Sequence, residues 1–212
     1  MLVLASASPR RRDLLAQAGY RFHVLPADLC EDVLPSESPI AYVLRLAREK
    51  AEAVAGSPEF QAFAERQSEP PLILGADTTV VAPGGEILGK PADDADAARI
   101  LRRLFGATHQ VITGVALHAP MEKDPMTEVA AEVTHVTMLT PTEEELKAYI
   151  ATGEPRGKAG AYAIQGMAAR WIPRIHGCYF NVVGLPLSLV ASMIEGLEWR
   201  LAGVRPVAGA TE

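Results

Sequence analysis

Apolar residues recur along this chain with two different periods, and the alternation between them outlines a fold. Positions 39–55, PIAYVLRLAREKAEAVA, repeat at helical spacing, with Ile40, Val43, Leu44, Ala47, Ala51 and Val54 on one stripe. Leu72–Val81, LILGADTTVV, is an apolar run that reads as a half or fully buried strand, interrupted only by Asp77 and its threonines. Gln110–His118 and Val129–Leu139 alternate like antiparallel strands, and Asp94–Phe105 reads as a helix stopped by Gly106. Leu2–Ala5 and Phe22–Pro26 are short strands. Between them Ser8 N-caps a helix with Pro9 at its first position and Gly19 at its close.

Gly84–Gly85 reads as a two-residue hairpin loop joining Leu72–Val81 to a partner at Glu86–Lys90. The polar, Pro-bounded stretch 56–71 is a loop with room for a helical turn. Thr140-Pro141-Thr142-Glu143 reads as a capping box with Pro at N1, opening a helix that runs to Thr152. Short strands are expected near Ala161–Ile164 and Trp171–Ile175, then a last helix over Pro186–Leu197. Helices alternate with strands, but hairpins are interspersed. The pattern therefore predicts an α/β fold with a mixed, partly antiparallel sheet flanked by helices.

Length and charge narrow the classes. The 212 residues suit one sizeable domain or two small lobes sharing a core. Residues 1–202 are read as one domain and 203–212 as a flexible tail, because Ala202–Glu212 is small and polar. A net charge of −6 argues against binding nucleic acid through bulk charge. No window approaches the roughly 18 apolar residues of a membrane span. Cys30 and Cys178 are isolated and without motif spacing, which suggests a reducing, cytoplasmic setting.

Chemistry concentrates at a few points. GGEILGKP, 84–91, almost spells a phosphate-binding P-loop, but Pro91 stands where a Ser or Thr hydroxyl should hold Mg²⁺. With a two-residue loop, Val81 would face Leu88 and Thr79 would face Lys90. Asp77, Thr79 and Lys90 would then share one face of the hairpin. A carboxylate inside an apolar strand must be neutralised, by Lys90 or a metal, or serve as a general base.

In SASPRRRDLL, Arg10 and Arg11 fall in the first turn of a helix, where partial positive charge already accumulates. An anion such as a triphosphate would relieve that crowding, using the Ser8 hydroxyl, free N–H groups and guanidinium forks. Arg12 is expected to be a solvated bystander. Lys50 lies on or beside the inward stripe of 39–55, so it either faces an anion or reaches out from the stripe's edge. Glu31 and Asp32 either supply oxygens to Mg²⁺ beside phosphates or belong to a plain polar loop. Gln165, in the glycine-bearing GKAGAYAIQG, carries a donor and an acceptor on one amide, which suits a base edge. The five histidines show no metal-ligand spacing, and no G-x-S-x-G elbow is present.

Taken together and in order, LASASPRR, YVLRLAREKA, LGADTTV, GKP, YIATGEP, KAGAYAIQG and NVVGLPL resemble the Maf family of nucleoside triphosphate pyrophosphatases, once called septum-formation inhibitors. The resemblance runs from about residue 3 to about residue 198. It implies a mixed α/β fold of two lobes around a central cleft, similar to inosine triphosphate pyrophosphatases, and a divalent metal, Mg²⁺ or Mn²⁺. The KAGAYAIQG form looks like the branch that acts on dTTP and UTP. The 7-methyl-GTP branch usually carries Trp where Arg10 stands.

Carried over by position, Asp77 matches the proton acceptor and, with Glu31, a metal ligand. Arg10, Thr78 and Gln165 match positions that set substrate preference. Ser8, Arg11, Glu31, Lys50 and Lys90 match polar residues lining the cleft. The chain departs from the family at Cys30 and Gly157, where acidic residues are common. The implied partner is a nucleoside triphosphate, with no nucleic acid or membrane, and homodimers are compatible with it. Alternatives are the same chemistry on 7-methyl-GTP or another modified nucleotide, and a non-catalytic regulator of cell division.

Overall fold

A computed structural model of the chain describes residues 1–121 and 125–201, with side chains described through residue 197. Strands β1 (Leu2–Leu4), β2 (Phe22–Val24), β3 (Leu72–Val81), β4 (Ile87–Leu88), β5 (Thr108–Ala119), β6 (Met126–Thr137) and β7 (Arg174–His176) form one sheet. Their order is β2-β1-β3-β5-β6-β7, with β4 paired to β3. The β2-β1-β3 portion is parallel and the remainder antiparallel. This is the mixed sheet that the alternation of periods predicts. The tail expected at 203–212 lies outside the described residues, among which no helix is long and apolar enough to cross a membrane.

Helices α1 (Pro9–Gln17), α2 (Pro39–Ala55), α3 (Pro58–Ala64), α4 (Asp94–Leu104), α5 (Glu143–Ala151), α6 (Tyr179–Val183) and α7 (Leu187–Leu201) cover the sheet. Ser38 caps α2 by accepting from the Ala41 amide, and Pro39 starts the helix. α2 lies across β3 and β5, where Ala47, Ala51 and Val54 meet Ile73 and Ala116. It approaches closely because two strand positions lack side chains. A Cβ on Gly75 would stand 2.0 Å from the Ala47 carbonyl oxygen, and one on Gly114 2.2 Å from that of Val43. The opposite face buries the larger core, including Leu74, Val115, Leu101, Tyr149 and Trp171.

Four local expectations are corrected. The buried stripe of α2 is rotated towards Tyr42 and Leu46, leaving Ile40 45% exposed. The capping box sits two residues later than read: Thr142 is the N-cap, Glu145 closes the box, and Pro141 precedes the helix. In place of a strand near 161–164 there is a tight turn, because Gly160 and Ala161 both adopt left-handed backbone (φ 71° and 59°) that a strand cannot contain.

The hairpin carries the fourth correction. Val81 faces Ile87 and Val80 faces Leu88, one residue off the expected register. The Gly85 amide bonds the Ala82 carbonyl, and the Ala82 amide bonds that of Glu86. The loop therefore has three residues, with Pro83 in the turn and Gly85 in the left-handed position at φ 85°. Shifting by one residue reverses the face of every side chain on β4. Lys90 thus does not stand opposite Thr79.

Candidate active site

The sheet opens where β1 ends. β3 is paired on one side with β5 from Ile73 to Val81, but on its other side β1 covers only Leu72–Leu74 and β4 only Val80 and Val81. Between them the edge of β3 is bare, and Asp77 and Thr78 lie in that gap. After Ala5, whose amide bonds the Leu74 carbonyl, the chain turns away into α1. A cleft of about 540 Å³ fills the space, at the carboxyl end of β1 where open α/β sheets place ligands.

Asp77 points to the α2 side, 7% exposed, and Lys50 descends onto it from α2. The Lys50 ammonium donates to Asp77 Oδ1 at 2.6 Å and to Glu31 Oε1 at 2.6 Å. Lys90, 59% exposed at its side chain, donates to Glu31 Oε2 at 3.0 Å. Carboxylates and ammoniums therefore alternate in a chain from the buried strand to the cleft rim. Burial alone would raise the Glu31 carboxyl, but its hydrogen bonds from Lys50 and Lys90 outweigh this and bring it down to about 2. Tyr42 holds the segment carrying Glu31, donating to the Glu31 carbonyl at 2.8 Å. Burial and the two carboxylates push its phenol up to about 12.

The start of α1 forms the opposite wall. Ser8 is the N-cap residue, yet its hydroxyl makes no cap bond and lines the cleft. Arg10 is half-buried and, among the described residues, ties only its Nε, to the Val183 carbonyl at 3.3 Å. Burial lowers its guanidinium from the ordinary value. Arg12 is exposed beside Asp13, the bystander the helical spacing predicts.

Arg11 behaves differently from its neighbour. It is buried and makes four hydrogen bonds to the protein: to the Gly184 and Ala76 carbonyls, the Ser6 hydroxyl and the Thr78 hydroxyl. Burial pulls its guanidinium below the ordinary value, opposed by Asp77. It lines the cleft as a strut that caps the Ala76 carbonyl on the bare edge. Thr78 is similarly committed, its hydroxyl 2.9 Å from that of Thr113.

A third wall comes from residues 157–165. The Gly160 amide bonds the Gly89 carbonyl at 3.2 Å, joining this segment to the stretch that carries Lys90. Tyr162 is clamped by His109, whose Nε2 lies 2.8 Å from the phenol oxygen. Gln165 is exposed along the cleft.

Nine residues singled out in the sequence reach this one cleft: Ser8, Arg10, Arg11, Glu31, Lys50, Asp77, Thr78, Lys90 and Gln165, whereas Asp32 does not line it. Their partners differ from expectation. Asp77 is neutralised by Lys50, because α2 packs onto the glycine at position 75 and the hairpin register turns Lys90 elsewhere. Lys90 meets Glu31 instead. Asp32 contributes its carbonyl to Arg45, and its carboxylate accepts from the Cys30 thiol.

Sequence reasoning missed Lys158, which lines the cleft with its ammonium on the Glu154 carbonyl. Burial lowers its basicity, and the Arg10 charge lowers it further. Its place between glycines in GKAG was the available signal.

This is the architecture of an α/β protein with a cation-lined cleft at an interrupted sheet edge. The cleft volume lies within the range of small-molecule sites. The chain belongs to the Maf family, whose model, described as Maf-like protein, matches residues 1–197. Among its relatives, the dTTP/UTP pyrophosphatase of Geobacter sulfurreducens is 50% identical over 186 residues, 88% of this chain and 91% of the relative. That of Koribacter versatilis is 48% identical over 194 residues, covering 92% and 93%. That of Anaeromyxobacter dehalogenans is 45% identical over 205 residues, covering 97% and 98%.

Proposed function

We propose that the protein hydrolyses dTTP and UTP to the nucleoside monophosphate and pyrophosphate. The observation that carries this reading is the Lys50 ammonium set 2.6 Å from both Asp77 and Glu31, inside a cleft walled by further cations. The names of relatives at 45% to 50% identity support the substrate class.

In the reaction, water attacks the α-phosphorus and its proton passes to Asp77, while the bond to the bridging oxygen breaks and pyrophosphate departs. Lys50 fixes one Asp77 oxygen, so the carboxylate presents the other in a set direction. Lys90, Arg10 and Lys158 offset charge that builds on the phosphates, an effect strongest when the donors are already in place. Substrate would take over the ammoniums that now neutralise Glu31.

Two carboxylates reaching one ammonium are also a hard donor set that suits a divalent ion, whose shell substrate oxygens and water would complete. Asp77 and Glu31 are the residues that would hold Mg²⁺ or Mn²⁺, which would supply charge neutralisation at the phosphates. The proposed setting is the cytoplasm, where Cys30 and Cys178 would remain the free thiols they are here.

The test is pyrophosphate release from a panel of ribo- and deoxyribonucleoside triphosphates, with Mg²⁺ and with EDTA. dTTP and UTP should be the best substrates, and chelation should stop turnover. A panel in which neither yields pyrophosphate would refute the reading.

A further inference from the structure

Gln165 sits in a turn, 163–167, that is held from behind by two residues outside the cleft lining. The Glu154 carboxylate accepts from the Met167 amide at 3.0 Å and from the Tyr149 hydroxyl at 2.9 Å. The Ala163 amide interacts with that same hydroxyl. Gly166 rests directly on the carboxylate, since a Cβ there would stand 2.3 Å from both Glu154 oxygens. Tyr149 is fully buried near the end of α5, so the assembly is anchored in the main core. The backbone on either side of Gln165 is thus fixed relative to the sheet.

Base selection at Gln165 poses a physical problem. An amide offers one donor and one acceptor. Thymine and uracil present a carbonyl oxygen beside a ring N–H, and guanine presents the same pair on a base one ring larger. Hydrogen-bonding pattern alone does not separate dTTP from dGTP. A fixed span between the cations of the cleft and the Gln165 amide would, because a second ring would overfill it.

We propose that Tyr149 and Glu154 are positioning residues that set this span, making the site select single-ring bases. The proposal rests on the dTTP/UTP reading above and extends it to residues that do not line the cleft.

The test measures kcat/KM for dTTP and dGTP in the parent, Glu154→Gln, Tyr149→Phe, Gln165→Ala and the Glu154→Gln/Gln165→Ala pair. Glutamine keeps the shape of Glu154 but turns a donor towards Met167 or Tyr149. The dTTP-to-dGTP ratio should fall about tenfold in both brace variants, the scale of a modest misplacement or size mismatch. The double variant should fall no further than Gln165→Ala alone, because both changes disable one device.

Equal losses on both substrates with the ratio intact, or additive losses in the double variant, would overturn the brace. If Glu154→Gln fails to fold, as a thermal melt would show, Tyr149→Phe carries the same comparison. Should the parent release no pyrophosphate from dTTP, the underlying reading fails. Should it do so while Gln165→Ala leaves the ratio unchanged, selection does not run through Gln165 and the brace is refuted separately.

Discussion

Replacing Gly75 by alanine isolates the contact that places Lys50 on Asp77. The new methyl would start 2.0 Å from the Ala47 carbonyl oxygen and 3.1 Å from its carbon, both backbone atoms of α2. No side-chain rotation relieves this, so α2 must withdraw by about 1 Å, an overpacking that typically costs 1–3 kcal/mol. Lys50 lies one helical turn beyond Ala47, and its 2.6 Å bonds to Asp77 and Glu31 would lengthen with the helix. A displacement of that order in a catalytic group lowers turnover by about 10²-fold.

Urea melts and pyrophosphate release from dTTP measure the two effects. Gly84→Ala is the control, because nothing lies within 4 Å of a Cβ there. The expected result is a Gly75→Ala protein that is folded, less stable and about a hundredfold slower, beside a control near the parent in both. A Gly75→Ala protein with parental urea midpoint and parental rate would refute the packing argument.

Asp77→Asn should lower kcat about 10²- to 10⁴-fold, the usual contribution of a general base, while Lys50 keeps Glu31 and the melt stays near the parent's; a parental rate on dTTP would remove Asp77 from the chemistry. Arg11→Lys should destabilise by about 2–4 kcal/mol, since a point ammonium cannot serve the Ala76 and Gly184 carbonyls and two hydroxyls together; a urea midpoint matching the parent's would contradict the strut. His109 is lowered to about 4 by burial, so the folded state takes up its proton later than the unfolded chain at 6.5. Its stabilisation is fully present above pH 6.5 and is lost as the pH falls to about 4, a loss of roughly 3 kcal/mol. His109→Gln, which can still bond Tyr162, should flatten urea stability across that window, and an unchanged pH profile would count against the assignment.

The long elements were readable because local signals and burial agree in them. Pro39–Ala55 and Leu72–Val81 have the bounds that Ser38, Pro39 and the apolar run define. The hairpin register was not readable in the same way. Two adjacent glycines allow a two-residue loop, but Pro83 favours a wider turn that leaves only Gly85 left-handed. That single residue redirected Lys90 from Asp77 to Glu31.

The site's membership was legible through residue types at odds with their surroundings: a carboxylate in an apolar strand, a lysine on an apolar stripe, arginines at a helix start. Which of them pair was not, because pairing depends on how closely α2 approaches the sheet, and that is set by Gly75 and Gly114 on different strands. Arg11 shows the same limit. Nothing in SASPRRR separates the arginine that faces the cleft from the one buried beneath it. The carbonyls of Gly184 and Ala76, 173 and 65 residues away, receive Arg11 and decide it.

The interruption in β3 also bears on how the protein behaves in crowded company. An uncovered strand border is a template on which foreign chains can polymerise. Here the stretch without a neighbour spans at most Gly75–Thr79, closed by β1 at one end and β4 at the other, and Arg11 occupies its Ala76 carbonyl. That is too short a docking rail for an intruding peptide, so the opening that admits a small ligand offers little purchase to a growing aggregate.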